Sequence, residues 1–161
     1  CWIYPTTPMK LNQGIFTNWC VATQTGYGLL ISDGGKLSIW VGDKNSSYVE
    51  IRSGKELQDN SWYFVCASYD AKDRRIMLVQ SPVPEWPRGP QVVVDQELEK
   101  SIIVGNKGAV SIGCYFKSDA SRFGSMQGFF NGKIDGPRLF FRSLGVEEIM
   151  SLSVSSLPQQ A

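Results

Sequence analysis

The chain has 161 residues, 16 basic and 15 acidic, 42% of them apolar and none of them histidine. That length and apolar content suit one domain with a real core and exclude wholesale disorder. A net charge of +1 lacks the basic excess of a nucleic-acid binder, the missing histidine excludes Ser-His and Cys-His catalysis and His-ligated metal within the chain, and no run of about 18 apolar residues offers a spanning helix. Neither nucleic acid nor membrane is an expected partner.

In chain order the texture is β. Cys1 opens straight into Trp2-Ile3-Tyr4-Pro5, which reads as a strand entered midway, so the sequence is expected to be a piece of a longer polypeptide. The clearest hairpin is residues 27–32, a turn at Asp33-Gly34-Gly35, then residues 36–41. Asp-Gly and Gly-Gly supply the positive φ that a tight hairpin needs. Leu37, Ile39 and Val41 alternate with Lys36, Ser38 and Trp40, so the first set should face the core. Residues 61–70 form a strand apolar on both faces, which predicts a central position. A charged turn, Asp70 to Arg74, returns the chain into a strand at 75–80.

Residues 81–90 hold Pro82, Pro84, Pro87 and Pro90. Fixed φ and missing donors make this an irregular surface loop. Strands are predicted at 91–95, 101–105, 110–116 and 127–142. One short helix is predicted over 145–152, with Glu147 and Glu148 in its first turn as the helix dipole favours. Residues 153–161 read as a polar tail or linker after a domain at 1–152. About a dozen strands and one helix predict an all-β, two-sheet antiparallel jelly-roll sandwich.

The four cysteines, Cys1, Cys20, Cys66 and Cys114, are widely spaced and form no C-x-x-C pair. They read as reduced, mostly buried thiols, which favours a reducing, cytoplasmic compartment. Two disulfides, in any of three connectivities, are the secreted alternative.

Several segments resemble one family. Trp62-Tyr63-Phe64-Val65, followed by Tyr69-Asp70, is similar to a signature strand of concanavalin A-like, laminin-G-type domains. Gly132, Ile134-Asp135, Arg138 and Arg142 are similar to the same family's closing strand, and Trp2 with Pro5 to an early one. The resemblance implies a concanavalin A-like jelly roll with Trp2, Trp62, Tyr69, Asp70, Gly132, Asp135 and Arg138 in structural roles. It also implies that one or two strands before Trp2 are missing, which would leave a sheet edge bare. Residues 79–84 replace the family's usual tight turn. The wording around 62–65, 80–82 and 132–140 is also similar to the sandwich module in large subunits of N,N-dimethylformamidase-type amidases. That resemblance implies a non-catalytic module whose partners are other domains or subunits of a larger protein.

No strand carries the facing carboxylate pair that a jelly-roll glycosidase needs, so catalysis within the chain is not expected. Asp135, inside an apolar strand, should need backbone or arginine partners. No cofactor is expected beyond calcium, which could be assembled in space from Asp33, Asp70 and Asp73. Trp19, Trp86, Tyr115 and Phe123 are expected at strand ends or loops, where exposed rings could stack on a glycan. Trp2, Trp40 and Trp62 are expected to pack inside. A structural or assembly module of an amidase subunit is thus the leading reading, with a carbohydrate-binding module of a secreted or surface protein as the alternative.

Overall fold

A computed structural model describes residues 1–43, 48–84, 89–104, 108–118 and 125–156. The strands are β1 (Trp2–Pro5), β2 (Gln13–Cys20), β3 (Thr25–Ser32), β4 (Lys36–Gly42), β5 (Tyr48–Glu56), β6 (Tyr63–Asp70), β7 (Arg75–Pro82) and β8 (Val92–Glu97). Four short ones follow: β9 (Ser111–Ile112), β10 (Tyr115–Phe116), β11 (Met126–Gln127) and β12 (Gly132–Asp135), then helix α1 (Val146–Ser155). They form two sheets. One has the order β12-β1-β6-β7-β8; the other runs β11-β10-β2-β3-β4-β5, with β9 also on β2. Every ladder is antiparallel except β10 on β2. The expected two-sheet jelly-roll sandwich is the observed architecture.

The alternation in the sequence sets the core. Ile39, Val41 and Leu37 point inward from β4 and meet Tyr63, Val65, Ile76 and Leu78 of the facing sheet. Their turn is made by Gly34 and Gly35, both at positive φ (76° and 70°), where a Cβ would be strained. A second cluster lies on the other side of the five-stranded sheet. There Trp2, Phe64 and Val79 receive Leu144 and Ile149 from the C-terminal segment. This explains the two apolar faces of β6: one faces the core, the other lies beneath the helix.

α1 begins after Gly145, whose N–H donates to Glu148 Oε2 at 3.3 Å. Glu148 is also gripped by both terminal nitrogens of Arg142, at 3.0 and 2.6 Å. The helix runs to Ser155, so the first three residues of the expected tail are helical. Ser153 is buried and its hydroxyl donates back to the Met150 carbonyl. Trp2 Nε1 donates to Ser156 Oγ at 3.3 Å, tying the helix end to β1.

Four expectations need correction. Residues 101–104 are not a strand; Ile102 is held instead by the Tyr69 hydroxyl, which donates to its carbonyl and accepts from its N–H. Residues 110–116 make only the two-residue β9 and β10. Of 127–142, only Gln127 at the end of β11 and Gly132–Asp135 pair as strand. Ser81 and Pro82 belong to β7, with Pro82 opposite Tyr63, so the irregular loop begins later than expected.

Candidate functional site

Two features stand out. The first is an aromatic cluster on the outer face of the larger sheet. Trp19 and Trp40 alternate out of β2 and β4, and small residues beneath them make the room. Trp19 lies opposite Gly26, Trp40 opposite Gly28, and Gly26 opposite Gly42. A Cβ on Gly42 would come within 3.0 Å of the Trp19 ring. The two indoles pack edge to face with centroids 5.4 Å apart, Tyr48 stands 5.8 Å from Trp19 and 6.5 Å from Trp40, and Tyr115 is 6.0 Å from Trp40.

Beside the rings lies a polar strip. Arg52 forks onto Glu50 with two bonds of 2.9 Å, and Ser38 Oγ donates to Glu50 Oε1 at 3.2 Å. Burial pushes the Glu50 carboxyl up, but Arg52, Trp40 and Ser38 outweigh it and hold it below its ordinary value. Trp40 Nε1 is close enough to favour the carboxylate yet makes no hydrogen bond of sound geometry. Tyr48 is 44% exposed and Trp40 half-buried. The strip can therefore offer a flat ring and a charged pair to a polar ligand, while the Trp40 indole N–H is buried beneath the surface.

The second feature is a cavity of about 380 Å³ at the β6 edge of the smaller sheet. β6 and Cys1 form one wall, Leu29, Ile39 and Val41 of the larger sheet its floor, and the segment from Gly136 to Leu144 its far side. Burial lowers the affinity of the Cys1 ammonium for its proton, and burial likewise pushes the Cys66 thiol up. Leu139, Phe140 and Phe141 beside the opening are exposed, Phe141 almost fully at 99%.

The residues singled out in the sequence do not gather at one place. Trp19 and Tyr115, expected at exposed strand ends, are buried within strands at 3% and 6% exposure. They support the aromatic cluster from below rather than present faces to solvent. Trp86 and Phe123 lie outside the described residues. Among the described residues no three His, Cys, Asp or Glu side chains are placed to hold a metal ion. Asp33 sits in the β3–β4 turn, while Asp70 and Asp73 sit where β6 meets β7. Asp70 is committed to its own turn: one oxygen accepts the N–H groups of Lys72 and Asp73, the other the Ser143 hydroxyl. Those bonds hold its carboxyl below the usual carboxylate range, the Asp73 N–H first among them.

Asp135, expected inside an apolar strand with backbone or arginine partners, is instead exposed on β12 at the sheet edge. Gly132 has a steric role: a Cβ there would run into the Tyr4 carbonyl oxygen. Trp2 is buried, Trp62 packs at 5.4 Å on Tyr4, Tyr69 pins Ile102, and Arg138 lines the cavity. Sequence reasoning missed Tyr48, Glu50 and Arg52 altogether and assigned Trp40 to the interior. The available signal was the set Gly26, Gly28 and Gly42, which leaves a hollow only large rings can fill. All four cysteines carry free thiols, Cys20 and Cys114 buried, Cys1 and Cys66 half-buried.

Comparison with known proteins agrees with the architecture. Residues 1–78 match a laminin-G-type family model described as the concanavalin A-like lectin/glucanases superfamily. The N,N-dimethylformamidase beta subunit of Paracoccus aminophilus is 27% identical over 98% of this chain, and that of an Alcaligenes species 26% identical over 94%. The chain spans about a fifth of the length of these relatives, 22% and 21%. Among solved structures, the Ruminococcus gnavus IT-sialidase CBM40 superposes with a TM-score of 0.68 at 16% identity, covering 94% of this chain and 79% of that one. A heptameric SAP-like pentraxin from Limulus polyphemus does so with a TM-score of 0.60 at 17% identity, covering 94% and 66%. Strand order and core make this chain a two-sheet antiparallel jelly-roll sandwich, similar over residues 1–78 to the concanavalin A-like family.

Proposed function

We propose that this sandwich is a non-catalytic assembly module of a larger, dimethylformamidase-type amide hydrolase, working in a reducing compartment. The alignment carries the reading. Nearly the whole chain aligns with about a fifth of each of two amidase beta subunits, which leaves most of each relative's length outside the sandwich. The exposed run Leu139-Phe140-Phe141 supports it as a surface suited to burial against a neighbouring domain or subunit. Four free thiols, two of them buried, suit a reducing compartment.

The test is a double change, Phe140→Asp with Phe141→Asp, in the complete polypeptide that carries this domain. The expected result is a lower assembled mass by native mass spectrometry and a loss of amide hydrolysis, with the β-sheet circular dichroism of the sandwich retained. Unchanged mass together with unchanged hydrolysis refutes the assembly role.

A second reading rests on the half-exposed Trp40 and Tyr48 beside Glu50 and Arg52: a glycan could stack there. A glycan array, followed by Trp40→Ala on any hit, decides it. Binding abolished by that change supports this reading, and an array without hits removes it.

A further inference from the structure

β8 is the last strand of the five-stranded sheet, with β7 on one side. One bond sets the direction of its backbone groups. Leu98 N–H donates to the Arg74 carbonyl at 2.7 Å, and the ladder continues with Ile76 opposite Gln96, Leu78 opposite Val94 and Gln80 opposite Val92. Antiparallel alternation then turns the N–H and C=O of Val92, Val94 and Gln96 toward β7, and those of Val93, Asp95 and Glu97 away from it. Among the described residues no strand pairs with that outer side.

Charge is unevenly placed along β8. Asp95 is forked by Arg75 at 2.6 and 2.8 Å, and Glu97 is paired with Arg74. The carboxyl-terminal half thus carries the charges that guard an open edge. The amino-terminal half is Val92-Val93-Val94, preceded by the neutral Gln91, and Val93 is 40% exposed. Branched side chains in a row suit a strand paired on both flanks, and here one flank is open.

We propose that this edge pairs two copies of the chain, β8 of one antiparallel to β8 of the other about a two-fold axis at Val93, so that two five-stranded sheets become one continuous sheet. Self-complementarity selects both the occupant and the register. The outward groups can meet with Val93 opposite Val93, Val93 opposite Asp95, or Asp95 opposite Asp95. The last sets like charges face to face, and the second sets a valine against a carboxylate; both are poor cross-strand pairs. The first sets Val93 opposite its own counterpart and each Val92 opposite a Val94, so every valine of the run meets a valine. It places Asp95 opposite Gln91 and sends the two acidic segments to opposite ends of the interface. The N–H and C=O of Val93 then close two hydrogen bonds at the axis. Such a contact is isologous, so it stops at two copies. Leu139-Phe140-Phe141 follows β12, the strand at the sheet's other edge, and the pairing does not depend on the assembly role given to that run.

The test follows the mass of the chain and the Val93 amide together. Sedimentation equilibrium from micromolar to near-millimolar concentration is expected to show a monomer–dimer equilibrium, with exchange at the Val93 amide slowing as the dimer fills. Val93→Pro removes an N–H that faces away from β7, and Val93→Lys brings two ammonium groups to the axis. Each should raise the dimer dissociation constant by about tenfold or more, with the β-sheet circular dichroism unchanged. If a variant misfolds, Val93→Cys is used instead. A short bismaleimide should link two copies through Cys at that position and not through Glu97→Cys, with the parent chain as control for Cys1 and Cys66. A chain that stays monomeric throughout overturns the proposal, as does a dimer that Val93→Pro and Val93→Lys leave intact. A Val93 amide already protected in the monomer overturns it as well, because another segment then holds the edge. Equal linking from position 97 overturns the register.

Discussion

Replacing Tyr69 by Phe removes one oxygen and tests how the chain between β8 and β9 is held. The Tyr69 hydroxyl donates to the Ile102 carbonyl at 2.8 Å and accepts from the Ile102 N–H at 2.7 Å. Ile102 is 1% exposed and belongs to no ladder, so no water or strand stands ready to replace the hydroxyl. A buried polar group left unpaired costs about 1–3 kcal/mol, and a carbonyl tolerates it better than an N–H. The pair together therefore costs about 2–4 kcal/mol. At about 3 °C per kcal/mol for a domain of this size, the Tm falls by about 6–12 °C. Scanning calorimetry gives the shift, and hydrogen exchange at the Ile102 amide localises it. A fall under about 2 °C with unchanged exchange at Ile102 refutes the reasoning, since it means that solvent or a rearranged backbone satisfies both groups without cost.

Other outcomes follow from single sites. Gly132→Ala drives a Cβ into the Tyr4 carbonyl at a φ of 151°, so urea unfolding should show a loss of more than about 1 kcal/mol at an unchanged m-value. Glu50 has a folded-state pKa below its ordinary 4.5, so it contributes stability above that pH and loses it as pH falls towards the folded value. Glu50→Gln should therefore lower the urea midpoint at pH 7, with the difference from the parent closing in strong acid; a constant difference across that range contradicts the assignment. Millimolar calcium, or its removal by a chelator, should leave the Tm unchanged, because among the described residues no three His, Cys, Asp or Glu side chains are placed to hold a metal ion and the Asp70 oxygens are engaged within the fold. A disulfide reagent should reach Cys1 and Cys66 in the native state, and Cys20 and Cys114 only on unfolding.

The parts of the fold legible in the sequence are those where one local rule and the tertiary structure demand the same thing. Asp33-Gly34-Gly35 requires a tight turn, and the two strands it joins pair from Gly26 with Gly42 to Ser32 with Lys36. β6 is apolar on both faces because it lies between β1 and β7, with core on one side and α1 on the other. Strand composition misled where no neighbour was present to pair. Ile102, Ile103 and Val104 look like a strand, yet a tyrosine side chain replaces the ladder. Leu139, Phe140 and Phe141 look like one too, but the chain turns at Gly136, and Pro137 lacks a donor. β-propensity describes fit to a pleated, half-buried surface, and a segment without that surface does not express it.

The candidate sites were less legible, for a reason the same residues show. Trp19 and Trp40 are 21 positions apart in sequence and meet at 5.4 Å because β3 lies between their strands and carries glycine beneath each ring. Neither tryptophan reveals this alone; the register of three strands does. Glu50 and Arg52 look like ordinary alternating surface charges until β5 sets Glu50 directly opposite Trp40. The cavity has no motif at all. It arises because β1 meets only the first residues of β6 while the chain beyond β12 turns aside, so two ladders end beside the same stretch of backbone. Which residues of β6 line it follows from the ladder register and from no local sequence pattern.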